Sequence, residues 1–260
     1  MFRQWRSQLP EWVDLVPVLL PGRESRFSET PFTNLGPLTD AVVEAMASEL
    51  DVPYALFGHS MGALVAFEAA RRLDAGPGRR PSLLLVAGRV APHSRPRERM
   101  IHQLPDDHFI DYLQKVNGTE PEIFEDRSLI DILLPVLRAD FAACETYVYR
   151  PGQPLACPIT TFGGIEDREV AEADAAAWSI HSAARFRLHM LPGGHFFVNS
   201  ERARMVSLIA SECVSVGAAP PGAAIARITD PEPVACREQR DRAETDDARH
   251  WPTTCVDRRN

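Results

Sequence analysis

The sequence predicts an α/β protein built around a mostly parallel sheet. Short runs that read as strands at 54–57, 82–88 and 158–163 alternate with segments of helical periodicity, and strands that alternate with helices form parallel sheets. The run at 54–57 leads into a glycine-flanked serine and then into a segment of strong helix formers at 63–73. Such sheets bind their ligands at the carboxyl ends of the strands, so this serine falls where a functional site is expected.

The other elements follow from apolar periodicity and from helix-breaking residues. Helices are predicted at 2–9, 37–50, 63–73, 170–182 and 201–214. Strands are predicted at 13–20, 54–57, 82–88, 158–163 and 185–191. The run at 13–20 is almost continuously apolar, which is typical of a strand that is covered on both faces.

The stretch from 89 to 150 interrupts this alternation with two helical patterns, at 106–117 and 128–147. Pro135 lies within the second pattern, which predicts either two helices or one helix with a kink. Helices inserted between sheet strands indicate a lid, which we place at about 99–150.

We expect one α/β domain at 1–216 and a disordered tail at 217–260. The tail is rich in alanine, proline, arginine and acidic residues and has almost no periodic apolar pattern. It therefore cannot bury enough apolar surface to offset the entropy lost on ordering.

Composition excludes several classes of protein. The 260 residues carry a formal net charge of −8, which argues against a nucleic-acid binder with a basic face. The five cysteines include no C-x-x-C spacing, so neither a zinc site nor a disulfide framework is indicated. No apolar run approaches the roughly 18 residues of a membrane span, and the N-terminus lacks the apolar core of a signal peptide. We therefore expect a cytoplasmic protein that binds no metal, membrane or nucleic acid.

The segment Gly58-His59-Ser60-Met61-Gly62 has the G-x-S-x-G pattern of a nucleophile elbow, between a predicted strand and a predicted helix. The neighbours of this serine must be small because strand and helix nearly touch there, and Gly58 and Gly62 meet that need. The backbone N–H of Met61, at the helix start, would point at the oxygen that becomes negative during acyl transfer. The alternative is an ordinary βα turn that happens to contain a serine.

A serine hydroxyl needs an adjacent base, and in this architecture the chain order is serine, acid, histidine. His195 is the candidate base because it follows the last strand and two glycines. Glu166 and Asp167 both follow the strand at 158–163, and we favour Asp167 as the acid that orients the histidine. His59 is expected to pack or to form a hydrogen bond beside the elbow.

Apolar residues of the predicted lid are candidates for an acyl-chain pocket, together with Phe196 beside the candidate base. The lid candidates are Phe109, Leu133 and Leu137. The alternative is that these side chains only pack against the domain.

Five stretches resemble type II thioesterases associated with polyketide and nonribosomal peptide synthetases. They are LLPGRESR at 19–26, GHSMGALVAFEAARRL at 58–73, LPDDHFIDYLQKVNGT at 104–119, LPVLRADFAACETYVYRPGQPLACPITTFGGIED at 134–167 and LPGGHFFV at 191–198. The GHSMG element is shared with many hydrolases, whereas the later stretches together are much more specific. The resemblance extends from about residue 2 to residue 212.

The resemblance implies an α/β-hydrolase fold and hydrolysis of acyl groups from the phosphopantetheine thiol of carrier proteins, which removes aberrant chains. It implies Ser60 as nucleophile, Asp167 as acid, His195 as base and the Met61 N–H as an oxyanion donor. The expected partners are acyl or peptidyl carrier domains of synthetases, and a monomer is expected. No cofactor of the enzyme's own is expected, because the phosphopantetheine arm belongs to the substrate.

One departure from the family concerns the start of the chain. Members normally begin with a further strand and a glycine-rich loop that supply an interior strand and a second oxyanion donor, and this sequence has no such residues before Phe2. We therefore expect a hydrolase fold that lacks this strand and loop. The alternatives are a start upstream of Met1, a truncated and inactive relative that only binds carrier proteins, or an esterase of the same fold that acts on other esters.

Overall fold

A five-stranded sheet lies at the centre of the computed structural model, which describes residues 2–94, 100–116, 124, 126–217 and 237–239. Neighbouring strands follow each other in chain order, the first four are parallel, and the fifth is antiparallel to the fourth. The strands are β1 (Ala55–His59), β2 (Leu83–Ala87), β3 (Ile159–Gly164), β4 (Phe186–Leu191) and β5 (Arg237–Gln239). The predicted mostly parallel sheet is confirmed, as are its strands at 54–57, 82–88, 158–163 and 185–191.

Seven α-helices are found among the described residues: α1 (Leu35–Met46), α2 (Met61–Ala75), α3 (Asp106–Val116), α4 (Arg127–Glu145), α5 (Glu172–Ala176), α6 (Phe197–Ser200) and α7 (Arg202–Ser215). α1 begins two residues before its prediction because the Asn34 side chain accepts the Gly36 N–H and caps the helix. The helix predicted at 170–182 is divided into α5 and a 3-10 helix, Ala177–His181. Within the predicted helix at 2–9, only the 3-10 helix Phe2–Gln4 forms.

Apolar layers cover both faces of the sheet, and β2 contributes to both. Leu84 and Val86 pack in the cluster that contains α1 and α2, while Leu83 and Leu85 pack with Trp5 and α7 on the opposite face. All five β2 residues are buried, which explains why its sequence is continuously apolar.

The helical segment between β2 and β3, here called the insertion, has its own apolar cluster. Phe109 and Leu113 of α3 pack there with Ile130 and Leu134 of α4. α4 is one helix with Pro135 inside it, so of the two predicted alternatives the single helix is found.

The segment at 13–20 corrects the sequence prediction, because it forms no strand. Val16 and Val18 are 50% and 43% exposed, so the run is not covered on both faces. A strand is held by backbone hydrogen bonds to a neighbour, and β1 pairs only with β2 among the described strands. Pro17 additionally has no N–H to donate.

The predicted disordered tail at 217–260 lies outside the described residues except for Gly217 and β5. β5 places residues Arg237–Gln239 against Phe186, Arg187 and Leu188 of β4. No pattern in the sequence predicted this strand. Over the described ranges, no helix combines the length and the apolarity needed to cross a membrane.

Candidate active site

Ser60 occupies a sharp turn between β1 and α2. Its backbone has φ 53° and ψ −116°, a conformation that costs a non-glycine residue about 1–3 kcal/mol. The Ser60 N–H donates to the Ala87 carbonyl at 2.9 Å, which ties the turn to the end of β2. This geometry is that of the predicted nucleophile elbow.

The two glycines of the elbow differ in the space that a side chain would have there. A Cβ atom on Gly58 would lie 2.0 Å from the carbonyl oxygen of Gly62, so β1 and α2 do approach as closely as predicted. A Cβ atom on Gly62 would meet nothing within 4 Å. The expectation that Gly62 must also be small is therefore corrected: its backbone, not its missing side chain, forms the close contact.

The structure brings Ser60, His195 and Asp167 into one hydrogen-bonded chain. His195 Nε2 lies 3.1 Å from Ser60 Oγ, and His195 Nδ1 lies 2.9 Å from Asp167 Oδ2. The three residues follow β1, β4 and β3, so each lies beyond the carboxyl end of a different parallel strand. A carboxylate accepts only, so Nδ1 carries the proton and Nε2 faces the hydroxyl with its lone pair.

Asp167 is held as a charged acceptor. The N–H groups of Glu169 and Val170 donate to its Oδ1 at 2.8 and 3.3 Å, while Oδ2 faces His195. Burial acts to raise the pKa of Asp167, but the hydrogen bonds and the charge of His195 outweigh it, so its pKa lies below the ordinary value. Glu166, the alternative acid, is exposed and makes no hydrogen bond to His195 among those described.

A second close approach, which sequence reasoning missed, lies between the loops that carry the acid and the base. A Cβ atom on Gly164 would lie 2.5 Å from the carbonyl oxygens of both Gly193 and Gly194. The Glu166 N–H donates to the Gly193 carbonyl at 3.0 Å. The G-G-I-E-D sequence, which begins with the last two residues of β3, was the available signal, because glycine in a strand often marks a close approach of another backbone.

Met61 is the first residue of α2 and directly follows Ser60. The first N–H groups of a helix have no acceptor within that helix, so the Met61 N–H can donate to a developing oxyanion.

A cavity of about 1140 Å³ opens beside Asp167 and His195. Its apolar lining comes mainly from the insertion and from the loop after β4, and includes Met100, Ile101, Leu104, Tyr112, Val116 and Phe196. Ser60 is not among the lining residues, so the cavity lies on the acid–base side of the chain of hydrogen bonds.

Of the four predicted pocket residues, Phe196 lines this cavity and the other three do not. Phe109 is fully buried in the cluster of the insertion, where its ring packs against Phe141 and beneath Arg138. Leu137 packs against the same cluster, and Leu133 is partly buried outside the lining. The interpretation of Phe109 as a pocket residue is therefore corrected, because helical periodicity shows which residues are buried but not against what.

The parallel sheet, the elbow and the serine–histidine–aspartate geometry define a serine hydrolase of α/β-hydrolase fold. The thioesterase domain family matches residues 1–213, and this chain belongs to that family.

Several relatives of known name are similar to this chain over most of its length. Linear gramicidin dehydrogenase LgrE of Brevibacillus parabrevis is 42% identical over 214 residues, which cover 81% of each chain. Thioesterase PikA5 of Streptomyces venezuelae is 36% identical over 201 residues, covering 77% of this chain and 71% of that protein. Among solved structures, the thioesterase RedJ from the prodiginine pathway of Streptomyces coelicolor is 38% identical with a TM-score of 0.77, over 81% of this chain and 84% of that one.

Proposed function

We propose that this protein is a type II thioesterase that hydrolyses acyl groups from the phosphopantetheine arm of carrier proteins. The observation that carries the proposal is the hydrogen-bonded chain of Ser60, His195 and Asp167 in a member of the thioesterase family. LgrE, whose name refers to linear gramicidin, and RedJ of the prodiginine pathway support a role beside a peptide or polyketide synthetase. In that setting the reaction removes aberrant chains from stalled carriers.

The first half of the reaction transfers the acyl group to the enzyme. As Ser60 Oγ attacks the thioester carbonyl, His195 Nε2 takes the hydroxyl proton. The Met61 N–H stabilises the tetrahedral oxyanion. Asp167 stabilises the imidazolium, which returns its proton to the sulfur as the carrier thiol departs.

The second half releases the acid by the same groups. His195 takes a proton from water, the resulting hydroxide attacks the acyl-serine, and Ser60 leaves with the proton. The products are a free carboxylic acid and a regenerated serine. This scheme uses no cofactor of the enzyme's own, because the thiol belongs to the carrier.

The apolar cavity beside His195 is the proposed place of the substrate's chain. Tyr112, Val116 and Phe196 supply apolar surface next to the base, as a small-molecule site requires. Lys115 at the same cavity offers a positive charge to an acidic partner such as a carrier domain.

The first experiment measures whether Ser60 is activated and which ester the enzyme prefers. Wild type is expected to react with a fluorophosphonate probe and to release acid from an acyl carrier protein faster than from a p-nitrophenyl ester of the same chain. Ser60→Ala should abolish labelling and hydrolysis, while Ser28→Ala, a change at an exposed serine, should leave both unchanged.

Two outcomes would contradict the proposal. A strong preference for the oxygen ester, lost in Ser60→Ala, would indicate an esterase of the same fold. Carrier binding without labelling or turnover would indicate a protein that only binds carriers.

A further inference from the structure

His59 links the nucleophile strand to the backbone of the base. It is the last residue of β1, and its ring centroid lies 5.1 Å from that of His195 and 5.4 Å from that of Phe196. Its Nε2 lies 2.8 Å from the carbonyl oxygen of His195. The side chain of His59, which directly precedes the nucleophile Ser60, is therefore linked to the backbone of His195, the residue that accepts the Ser60 proton.

The hydrogen bond assigns the proton on the His59 ring. A carbonyl oxygen only accepts, so Nε2 carries the hydrogen and Nδ1 carries the lone pair of a neutral ring. Burial, followed by the charge of His195, lowers the pKa of His59 to about 4, against the opposing effects of the His195 carbonyl and Asp167. At neutral pH His59 is therefore an uncharged donor.

Gly88 leaves the space in which this contact forms. It follows β2 with a φ of +58°, and a Cβ atom on it would lie 2.7 Å from His59 Nε2 and 3.5 Å from the His195 carbonyl oxygen. The Gly88 N–H donates to the Phe162 carbonyl of β3 at 3.0 Å. The contact therefore lies where β1 and β2 end, beside β3.

The loop that carries His195 is held at Gly193, whose carbonyl accepts from the Glu166 N–H, and the His59 hydrogen bond adds a second anchor at His195 itself. The loop contains Gly193, with a φ of +99°, and Gly194, and glycines give a backbone more freedom than other residues do. The ring of His195 must nevertheless meet Ser60 Oγ and Asp167 Oδ2 at the same time.

We propose that His59 is a positioning residue for the hydrolysis: its Nε2–H holds the His195 carbonyl and so fixes the base between Ser60 and Asp167. The neutral ring also suits the reaction. A second positive charge about 5 Å from the imidazolium formed on His195 would oppose that intermediate.

The test compares His59→Phe, which keeps an aromatic ring but removes the donor, with His59→Gln, whose amide N–H reaches a similar position. The readout is the second-order rate of fluorophosphonate labelling at Ser60, which does not depend on any carrier protein. His59→Phe should lower this rate about 10- to 100-fold, since small displacements of catalytic groups have effects of this size. His59→Gln should recover most of the rate, while Ser60→Ala marks the background.

A purely structural role would give a different pattern. Equal labelling rates for His59→Phe and wild type would overturn the proposal, as would a His59→Gln variant that folds but labels no faster than His59→Phe. Thermal unfolding of each variant separates lost positioning from lost fold.

A measurement on the unsubstituted protein does not depend on how the variants fold. With ¹⁵N-labelled histidine, the NMR spectrum at pH 7 should assign to His59 a neutral ring with its proton on Nε2, and the same form should persist at pH 5.5. A proton on Nδ1 alone would refute the proposal, because Nε2 would then have no hydrogen to donate to the carbonyl of His195. The titratable groups that face this ring are His195 and Asp167.

Discussion

Backbone strain at Ser60 is maintained by the residues around it. The unfavourable φ of 53° exposes the hydroxyl at the start of α2, and the hydrogen bond to Ala87 helps to hold the turn. Gly58 allows this arrangement, because any side chain there would collide with the backbone of Gly62. The strained backbone of Ser60 and the missing side chain of Gly58 therefore belong to the same turn.

Replacing each glycine of the elbow by alanine should have different effects on the free energy of unfolding. Gly58→Ala should lower the free energy of unfolding by about 3 kcal/mol or more, because the backbone atoms it meets cannot move aside. Gly62→Ala has open space and a helical backbone, so it should leave stability unchanged or raise it by up to about 1 kcal/mol. Thermal and urea unfolding of the two variants check this, and similar losses in both would contradict it.

The three catalytic residues were predictable from the sequence because each stands within four residues of the end of a recognisable strand. The prediction of Ser60, Asp167 and His195 rested on the chain order of serine, acid and histidine and on the ends of the predicted strands. The environment of Phe109 was not predictable, because it depends on how α3 packs against α4. The contact of His59 with His195 was expected only as some hydrogen bond beside the elbow, because its partner lies 136 residues away in the chain.

At the scale of elements, Arg138 organises the insertion. From α4 its guanidinium donates to the carbonyl oxygens of His102 and Leu104 and pairs with Asp106 at the start of α3. It also lies 4.5 Å above the ring of Phe109. One side chain thus joins both helices of the insertion to the turn before them.

Removing this side chain's charge should loosen the insertion. Arg138→Met should cost about 1–3 kcal/mol of stability, because it leaves carbonyl groups without a donor. The control is Arg127→Met, at an exposed residue of the same helix whose ion pairs with Asp107 and Asp131 contribute about 0.5 kcal/mol or less. Urea unfolding measures both, and an equal effect of the two variants would argue against the role of Arg138.

The strands β1 to β4 were predicted correctly, whereas the segment at 13–20 was predicted to be a strand and forms none. The run at 82–88 is apolar because it lies between two layers of side chains, and the run at 158–163 is buried in the same way, including Thr160 and Thr161. The run at 13–20 has a similar composition, yet composition does not show whether a neighbouring strand pairs with it. β5 was missed for the converse reason: Arg237–Gln239 has no apolar pattern, and its strand is defined by pairing with β4.

At the scale of the whole molecule, Glu212 connects the last long helix to the sheet. This carboxylate of α7 is 2% exposed and accepts hydrogen bonds from Arg187 and His189 of β4 at 3.2 and 3.1 Å. Burial acts to raise the pKa of Glu212, but the hydrogen bond from His189 and the nearby charges outweigh it, so its pKa lies below the ordinary value.

Because folding lowers the pKa of Glu212, the contribution of Glu212 to the free energy of unfolding depends on pH. A lowered folded-state pKa adds stability above the unfolded-state pKa of about 4.3, and this stability is lost as pH falls through the folded-state value. Glu212→Gln should therefore be less stable than wild type by about 2 kcal/mol at pH 7, with the difference shrinking below about pH 4.3. Urea unfolding between pH 3 and 7, with the exposed Glu44→Gln as control, tests this; a difference that does not change with pH would contradict it.

The separate apolar cluster of the insertion has a kinetic consequence for the amide protons of α3 and α4. A helical group with a cluster of its own, here α3 and the first part of α4, can open as one cooperative unit while the sheet stays intact, whereas Cys144 near the end of α4 packs against the cluster of α1 and α2. Amides of α3 and of the first part of α4 should therefore exchange with deuterium together, at a lower free energy than those of β2 and β3. The covering of the cavity beside His195 would then open and close without any strain reaching the strands that hold the reacting groups.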